Sequence, residues 1–238
     1  MGTTVSIDVR DADVGADVLA AAVELLRDID ARFSTYRSES EISRIDRGEV
    51  SVEDASKDVR AVLDACARLK AESGGAFDAY RAGRLDPSGY VKGWAGDLAA
   101  DVLRAAGARN FMLNIGGDIV CSGERAPGEP WRIGVRHPDE PAKVMLVLAV
   151  RDGAVATSGL YERGEHVVDG RNGHAAREWR SMTVVAADLT TADSLATTAL
   201  ARGADGARWA AARLGCEVAA LDNHGNLFTS SGIAALRA

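Results

Sequence analysis

The chain has 238 residues, enough for one large domain or two small ones around a sizeable core. Hydrophobic residues make up 47% and charged residues 26%, a globular balance that argues against a disordered chain. The formal net charge of −7 argues against a nucleic-acid partner, so an anionic ligand needs a local positive centre here.

In chain order, Val5, Ile7 and Val9 alternate with Thr4, Ser6 and Asp8 and predict an opening strand with one wet face. Met1 to Ser6 also fits the loose N-myristoylation pattern, but the alternation accounts for the segment. Leu19, Val23, Leu26 and Ile29 fall at helical spacing and predict a helix over Val14 to Phe33. Ser34 to Val50 is polar and turn-rich. Ser56 to Ala71 reads as a second amphipathic helix, stopped by Gly74-Gly75. Arg81 to Tyr90, with two glycines and a proline, reads as loop, and a third helix is expected from about Trp94 to Ala106.

Two short apolar runs, Phe111 to Ile115 and Ile119 to Cys121, flank Gly116-Gly117-Asp118 as strands flank a tight turn. Trp131 to Arg136, Val144 to Val150 and Met182 to Ala186 are further strand candidates. Thr191 to Arg202 and Asp205 to Leu214 read as helices. Cys216 to Leu221 and Leu227 to Ser230 predict a closing hairpin around Asp222-Asn223-His224-Gly225. Strands and helices do not alternate as in a parallel-sheet fold. The expectation is one α+β domain over residues 1–238, with mixed or antiparallel sheets and flanking helices. No stretch is apolar enough for a membrane span, and no basic-then-apolar signal peptide opens the chain. Cys66, Cys121 and Cys216 fit neither a zinc site nor a disulfide framework and read as buried free thiols in a reducing compartment.

Three segments could carry chemistry. On a helix beginning near Thr191, Asp193 and Thr197 share a face, where a carboxylate and a hydroxyl can meet one hard cation such as magnesium. The helix start also offers free N–H groups to an anion. The same spacing fits a helix-stabilising Asp193 and a packed Thr197. Leu85 to Asp97 is a Gly-rich turn with Lys92, able to approach a phosphate but lacking the Walker A order, or else an ordinary loop with an exposed lysine. Ala156-Thr157-Ser158-Gly159 precedes Glu165 to Gly170, where His166 has Asp169 three residues on. A histidine there can serve as general base or be purely structural.

In order along the chain stand Met1-Gly2-Thr3, Phe33-Ser34-Thr35-Tyr36, Ser38-Glu39-Ser40-Glu41-Ile42-Ser43, Gly75-Ala76-Phe77-Asp78 and Lys92-Gly93-Trp94-Ala95-Gly96-Asp97. Asn114-Ile115-Gly116-Gly117-Asp118, Ala156-Thr157-Ser158-Gly159, His166-Val167-Val168-Asp169 and Ala192-Asp193-Ser194-Leu195-Ala196-Thr197 follow. Each is weak alone. Their ordered conjunction over almost the whole length resembles the ApbE-type FAD:protein FMN transferases.

The resemblance implies an α+β ApbE-like fold and a magnesium ion held by the side chains of Asp193 and Thr197 and the backbone carbonyl of Val91. It implies FAD contacts from Tyr36, Ala76, Phe77, Asp78, Ser88, Trp94 and Val168, a tight turn at Gly116-Gly117 beside the flavin nucleotide, and His166 as base. The implied reaction moves FMN from FAD onto a threonine or serine hydroxyl of a target protein and releases AMP. A hydrolase giving FMN and AMP, or a flavin carrier or sensor, are the alternatives. Two departures stand out. Gly170 replaces the proline usual after His-x-x-Asp, which predicts a more mobile loop around His166. Met1, a flavin contact in longer relatives, is here an initiator open to removal. The lipoprotein leader of many relatives is missing, so the expected location is cytoplasmic.

Overall fold

The computed structural model describes residues 3–81, 83–140, 142–159 and 167–238. Its centre is a seven-stranded sheet in the order β1 (Val5–Val9), β4 (Phe111–Ile115), β5 (Asp118–Ser122), β8 (Gly153–Gly159), β9 (Trp179–Ala186), β10 (Glu217–Asp222) and β11 (Leu227–Thr229). Every neighbouring pair in it is antiparallel. Two-residue strands β2 (Tyr80–Arg81) and β3 (Arg84–Leu85) pair separately, as do β6 (Trp131–Arg136) and β7 (Val144–Val150).

The central strands are apolar on both faces because both faces are covered. Side chains alternate across a strand, so Val120, Ala154, Ala156, Val184 and Val218 join the large core under the helices. Their neighbours Ile119, Cys121, Val155, Val185 and Ala219 face the other way, against Trp131, Ile133, Leu146 and Leu148 of the β6–β7 hairpin. The helical layer comprises α1 (Ala16–Phe33), α2 (Glu41–Asp46), α3 (Lys57–Glu72), α4 (Ser88–Ala105), α5 (Leu189–Arg202) and α6 (Gly206–Ala211), and a short α7 (Ile233–Leu236) closes the chain. All three cysteines are free and buried. Among the described residues no helix is long and apolar enough to cross a membrane.

Several expected boundaries shift, each for a local reason. The polar stretch from Ser34 to Val50 contains α2, capped by the Ser40 hydroxyl, which accepts from the Ser43 N–H at 3.1 Å. The Gly-rich segment is not a turn: α4 begins at Ser88, six residues before Trp94, behind Pro87 and an Asp86 carboxylate that accepts the Ser88 N–H at 3.0 Å. Its glycines serve packing. A Cβ on Gly93 would lie 2.4 Å from the Leu189 carbonyl oxygen, and one on Gly96 would lie 2.5 Å from Leu189 Cδ2. α4 and α5 therefore cross at a distance only glycine permits. α5 begins at Leu189 rather than Thr191, and Asp205 to Leu214 resolves into a 3-10 turn (Gly203–Asp205) followed by the shorter α6. Strand β8 lies mid-sheet and has no expected counterpart.

Candidate functional site

One cleft of about 350 Å³ opens between the first turns of α4, the inner face of α5, the β4–β5 turn at Gly116, the end of β8, and the segments 33–36, 76–78 and 167–168. Of the predicted site residues, Tyr36, Ala76, Phe77, Asp78, Ser88, Val91, Gly116, Val168, Asp193 and Thr197 line it. They come from segments more than 150 residues apart, and the fold brings them to one place. Trp94 and Gly117 stand outside the lining. The Trp94 ring packs 5.4 Å from the ring of Phe33, which does face the cleft, so Trp94 backs the wall. Gly117 donates to the Asn114 side chain at 2.8 Å and shapes the turn. Gly116 has φ 62 and receives the Thr3 side chain so closely that a Cβ would collide with it. His166 lies outside the described residues, as do Met1 and Gly2.

The rim is set by hydroxyls. Ser40 Oγ and Ser43 Oγ both donate to the Ser34 carbonyl, at 2.6 and 3.3 Å, and Ser34 Oγ accepts the Tyr36 N–H. Glu41 ties this region to α3 through the Ser56 N–H and hydroxyl at 2.8 and 2.6 Å. The serine-rich motif thus fixes the turn that presents Tyr36, which is 91% exposed. On the opposite wall Asp78 pairs with Lys70 at 2.6 Å and Asp86 with Arg81 at 2.7 Å. Burial pushes the Asp86 carboxyl up, but hydrogen bonds from Ser88 and the Arg81 guanidinium outweigh it and leave it below its ordinary value.

Asp193 lines the floor and Asp118 lies behind it next to Lys92, both carboxylates buried at 2% exposure. Asp193 Oδ2 accepts the Gly93 N–H at 2.9 Å, and Asp118 Oδ1 accepts the Thr157 N–H at 2.9 Å. The remaining oxygens face one ammonium: Lys92 contacts Asp118 Oδ2 closely and Asp193 Oδ1 at 3.4 Å. The Asp118 contact is electrostatic, since Oδ2 lacks a hydrogen bond of proper geometry. Burial pushes the Asp193 carboxyl up to about 7; Lys92 opposes the rise and Asp118 adds to it. Thr197 Oγ1 and Ser158 Oγ meet at 3.0 Å beside this cluster.

This donor set suits a hard cation. Asp193, Thr197 and the neighbouring Ser158 offer oxygen alone, and burial among few cationic groups makes Asp193 readier to meet a cation than to stand charged by itself. Among the described residues no group of three His, Cys, Asp or Glu side chains could hold a metal. An ion here therefore draws on hydroxyl, backbone or ligand oxygens, the pattern magnesium accepts.

The helix start expected to greet an anion does not do so. Asp97 takes the N–H groups of Leu189 and Thr190 at 2.9 and 2.7 Å, and the Asp188 side chain takes that of Thr191 at 2.7 Å. Those donors are spent on capping. Burial pushes the Asp97 carboxyl up, against the hydrogen bonds from Thr190 and Leu189. The first turn of α4 does line the cleft, through Ser88 and Gly89, with the Ser88 N–H held by Asp86. The Gly170 N–H donates to the Ala76 carbonyl at 2.9 Å, and a Cβ there would come within 2.5 Å of the Gly75 carbonyl oxygen, so the backbone at Gly170 is anchored. The loop at His166, where mobility was expected, lies outside the described residues.

Lys92 and Asp118 lie inside quoted motifs, yet their pairing was not anticipated. Strand parity could have found part of it: Asp118 and Val120 share a face, and Val120 is in the helix-side core. Ser158 likewise follows from Ala154 and Ala156, once β8 is recognised as a strand.

Known proteins resemble the chain to different extents in sequence and in fold. A protein named FAD:protein FMN transferase from Vibrio cholerae is 35% identical over 129 residues, covering 50% of this chain and 39% of that protein. One of the same name from Rhodobacter capsulatus is 32% identical over 156 residues, covering 62% of this chain and 30% of the relative. The chain thus matches well under half the length of these curated relatives. Among solved structures, flavin transferase ApbE from Vibrio cholerae superposes with TM-score 0.86 at 26% identity, covering 99% of this chain and 96% of the other. The ApbE protein from Thermotoga maritima, at 22% identity and TM-score 0.88, agrees in fold over 100% of this chain and 96% of its own. The family model described as ApbE family matches residues 1–82 and 79–221, most of the chain, and the chain belongs to the ApbE family.

Proposed function

We propose that the chain is an FAD:protein FMN transferase that moves FMN from FAD onto a threonine or serine hydroxyl of a target protein, with magnesium as its metal. The observation that carries this reading is the convergence of Tyr36, Phe77, Asp78, Ser88, Asp193 and Thr197 on one cleft. The relatives' names, and the flavin transferase that superposes over 99% of the chain, support it.

In this reading Tyr36, Ala76, Phe77, Asp78, Ser88 and Val168 contact FAD, Trp94 steadies Phe33, and Gly116-Gly117 lets the backbone approach the nucleotide. Asp193, Thr197 and the Val91 carbonyl hold the magnesium ion, which when bound offsets the negative charge of the pyrophosphate. The acceptor hydroxyl oxygen forms a bond to the phosphorus on the FMN side. The bond from that phosphorus to the bridging oxygen breaks, and the electron pair leaves with AMP. His166 accepts the hydroxyl proton. The first turns of α4 orient the phosphates and keep their attacked face toward the acceptor.

The test incubates the protein with FAD, magnesium and candidate acceptor proteins, and follows AMP by chromatography and the acceptor by mass spectrometry. An FMN-sized mass gain on the acceptor, with AMP release only in its presence, is the expected result. AMP without acceptor points to FAD hydrolysis, and FAD binding with no AMP at all to a carrier. Asp193→Asn removes the single charged ligand and should lower transfer by at least about a hundredfold, while Thr197→Val, losing a neutral hydroxyl, should cost less. Full transfer by Asp193→Asn at low magnesium would sink the metal assignment.

A further inference from the structure

We propose that Lys92 is a built-in counter-cation for the metal site and that Asp118 is the positioning residue that takes it over when a divalent ion binds at Asp193. The inference rests on the metal reading above. Its ground is an arrangement in which each buried carboxylate is pinned by one backbone N–H: Asp193 by Gly93 and Asp118 by Thr157, both at 2.9 Å. The free oxygen of each is turned to the same ammonium. Lys92 stands closer to Asp118 than to Asp193, where the separation is 3.4 Å.

Burying two carboxylates without a counter-charge is costly, so the protein needs Lys92 when no ion is present. With a divalent ion at Asp193, the same ammonium becomes a like charge a few ångströms away and must move off. Its flexible four-carbon stem permits a short swing, and Asp118, fixed through strand β8, holds it without leaving either charge unpaired. Thr157 is hydrogen-bonded to Thr183 at 2.9 Å, so the Asp118 anchor sits on the rigid middle of the sheet.

The two residues should therefore shift metal affinity in opposite directions, which a merely structural role would not do. Manganese binding to the full chain, without FAD, can be counted by electron paramagnetic resonance of the free ion, with Asp193→Asn as reference. Manganese binding in the intact chain that Asp193→Asn abolishes is the expected starting result. If no Asp193-dependent binding occurs, the metal reading itself fails, and the inference with it. Given such binding, Lys92→Met should tighten it about tenfold, roughly 1.4 kcal/mol, and its melting temperature should rise on adding manganese by more than that of the intact chain. Asp118→Asn should weaken binding about tenfold, because Lys92 then loses the carboxylate that draws it away from Asp193. In the Lys92→Met background, Asp118→Asn should weaken binding by clearly less than tenfold, since Asp118 acts mainly through Lys92. Should Lys92→Met fail to fold, Lys92→Gln carries the same comparison. Weakening by both single variants, or no change in either, would overturn the proposal while leaving the metal site standing.

Discussion

Asp169 accepts the backbone N–H and the Nε and Nη2 of Arg171, along with the Asn172 amide, at 2.8 to 3.2 Å. These hydrogen bonds, the Arg171 guanidinium first, hold its carboxyl below the ordinary aspartate range. A carboxyl depressed in the folded state contributes stability above its unfolded pKa of about 3.9 and loses it as pH falls through the folded value. Asp169→Asn should therefore cost about 1 kcal/mol at neutral pH, a figure reduced because Arg171 is well exposed. Urea unfolding should show that difference at pH 7 and see it shrink in acid below the carboxylate range. Burial pushes the Cys66 and Cys121 thiols up to about 12, which makes them inert packing groups at neutral pH.

At the scale of elements, α5 depends on α4 twice. Asp97 caps its first turn across the interface, and Gly93 with Gly96 lets the helices touch. Asp97→Ala should destabilise the fold by about 1–2 kcal/mol in denaturant unfolding. Gly93→Ala should cost about 1–3 kcal/mol by overpacking and also loosen Asp193, whose carboxylate takes the Gly93 N–H. Two caps explain a misplaced boundary: Asp188 is the local N-cap, its side chain accepting the Thr191 N–H, and Asp97, over 90 residues away, satisfies the N–H groups of Leu189 and Thr190. Distant capping is invisible to local pattern. β8 was missed for a related reason. Gly153 to Gly159 is all small and β-branched residues, buried on both faces, and shows no alternation to read. The helices at Ala16–Phe33 and Lys57–Glu72 were legible because each has one wet face and so a strong period.

For the molecule as a whole, the sheet shares its two faces between the helical core and the β6–β7 hairpin core. Strands β5, β8, β9 and β10 contribute to both, so neither core can be lost alone, and unfolding should be one cooperative transition by fluorescence and circular dichroism alike. Non-coincident transitions would divide the chain into two units. Trp131, 2% exposed in the hairpin core, should cost about 3–5 kcal/mol as Trp131→Ala while leaving the cleft's residues in place. The ordered motifs pointed to the cleft's location, since ten of the predicted residues line it. What they could not supply was the charge pairing on its floor. Lys92, Asp118 and Asp193 become neighbours only when α4, β5 and α5 pack together.

The close fit of Gly170 against the 75–78 segment also bears on how this sequence can change over generations. A proline at 170 would lack the N–H that the Ala76 carbonyl receives, and its ring would enter the space already occupied by the Gly75 carbonyl and Asp78. Replacing this glycine by proline is therefore not a neutral step: the 75–78 backbone, almost a hundred positions upstream, must shift with it. Position 170 and the 75–78 segment should accordingly vary together, and a graft of one without the other should be tolerated poorly.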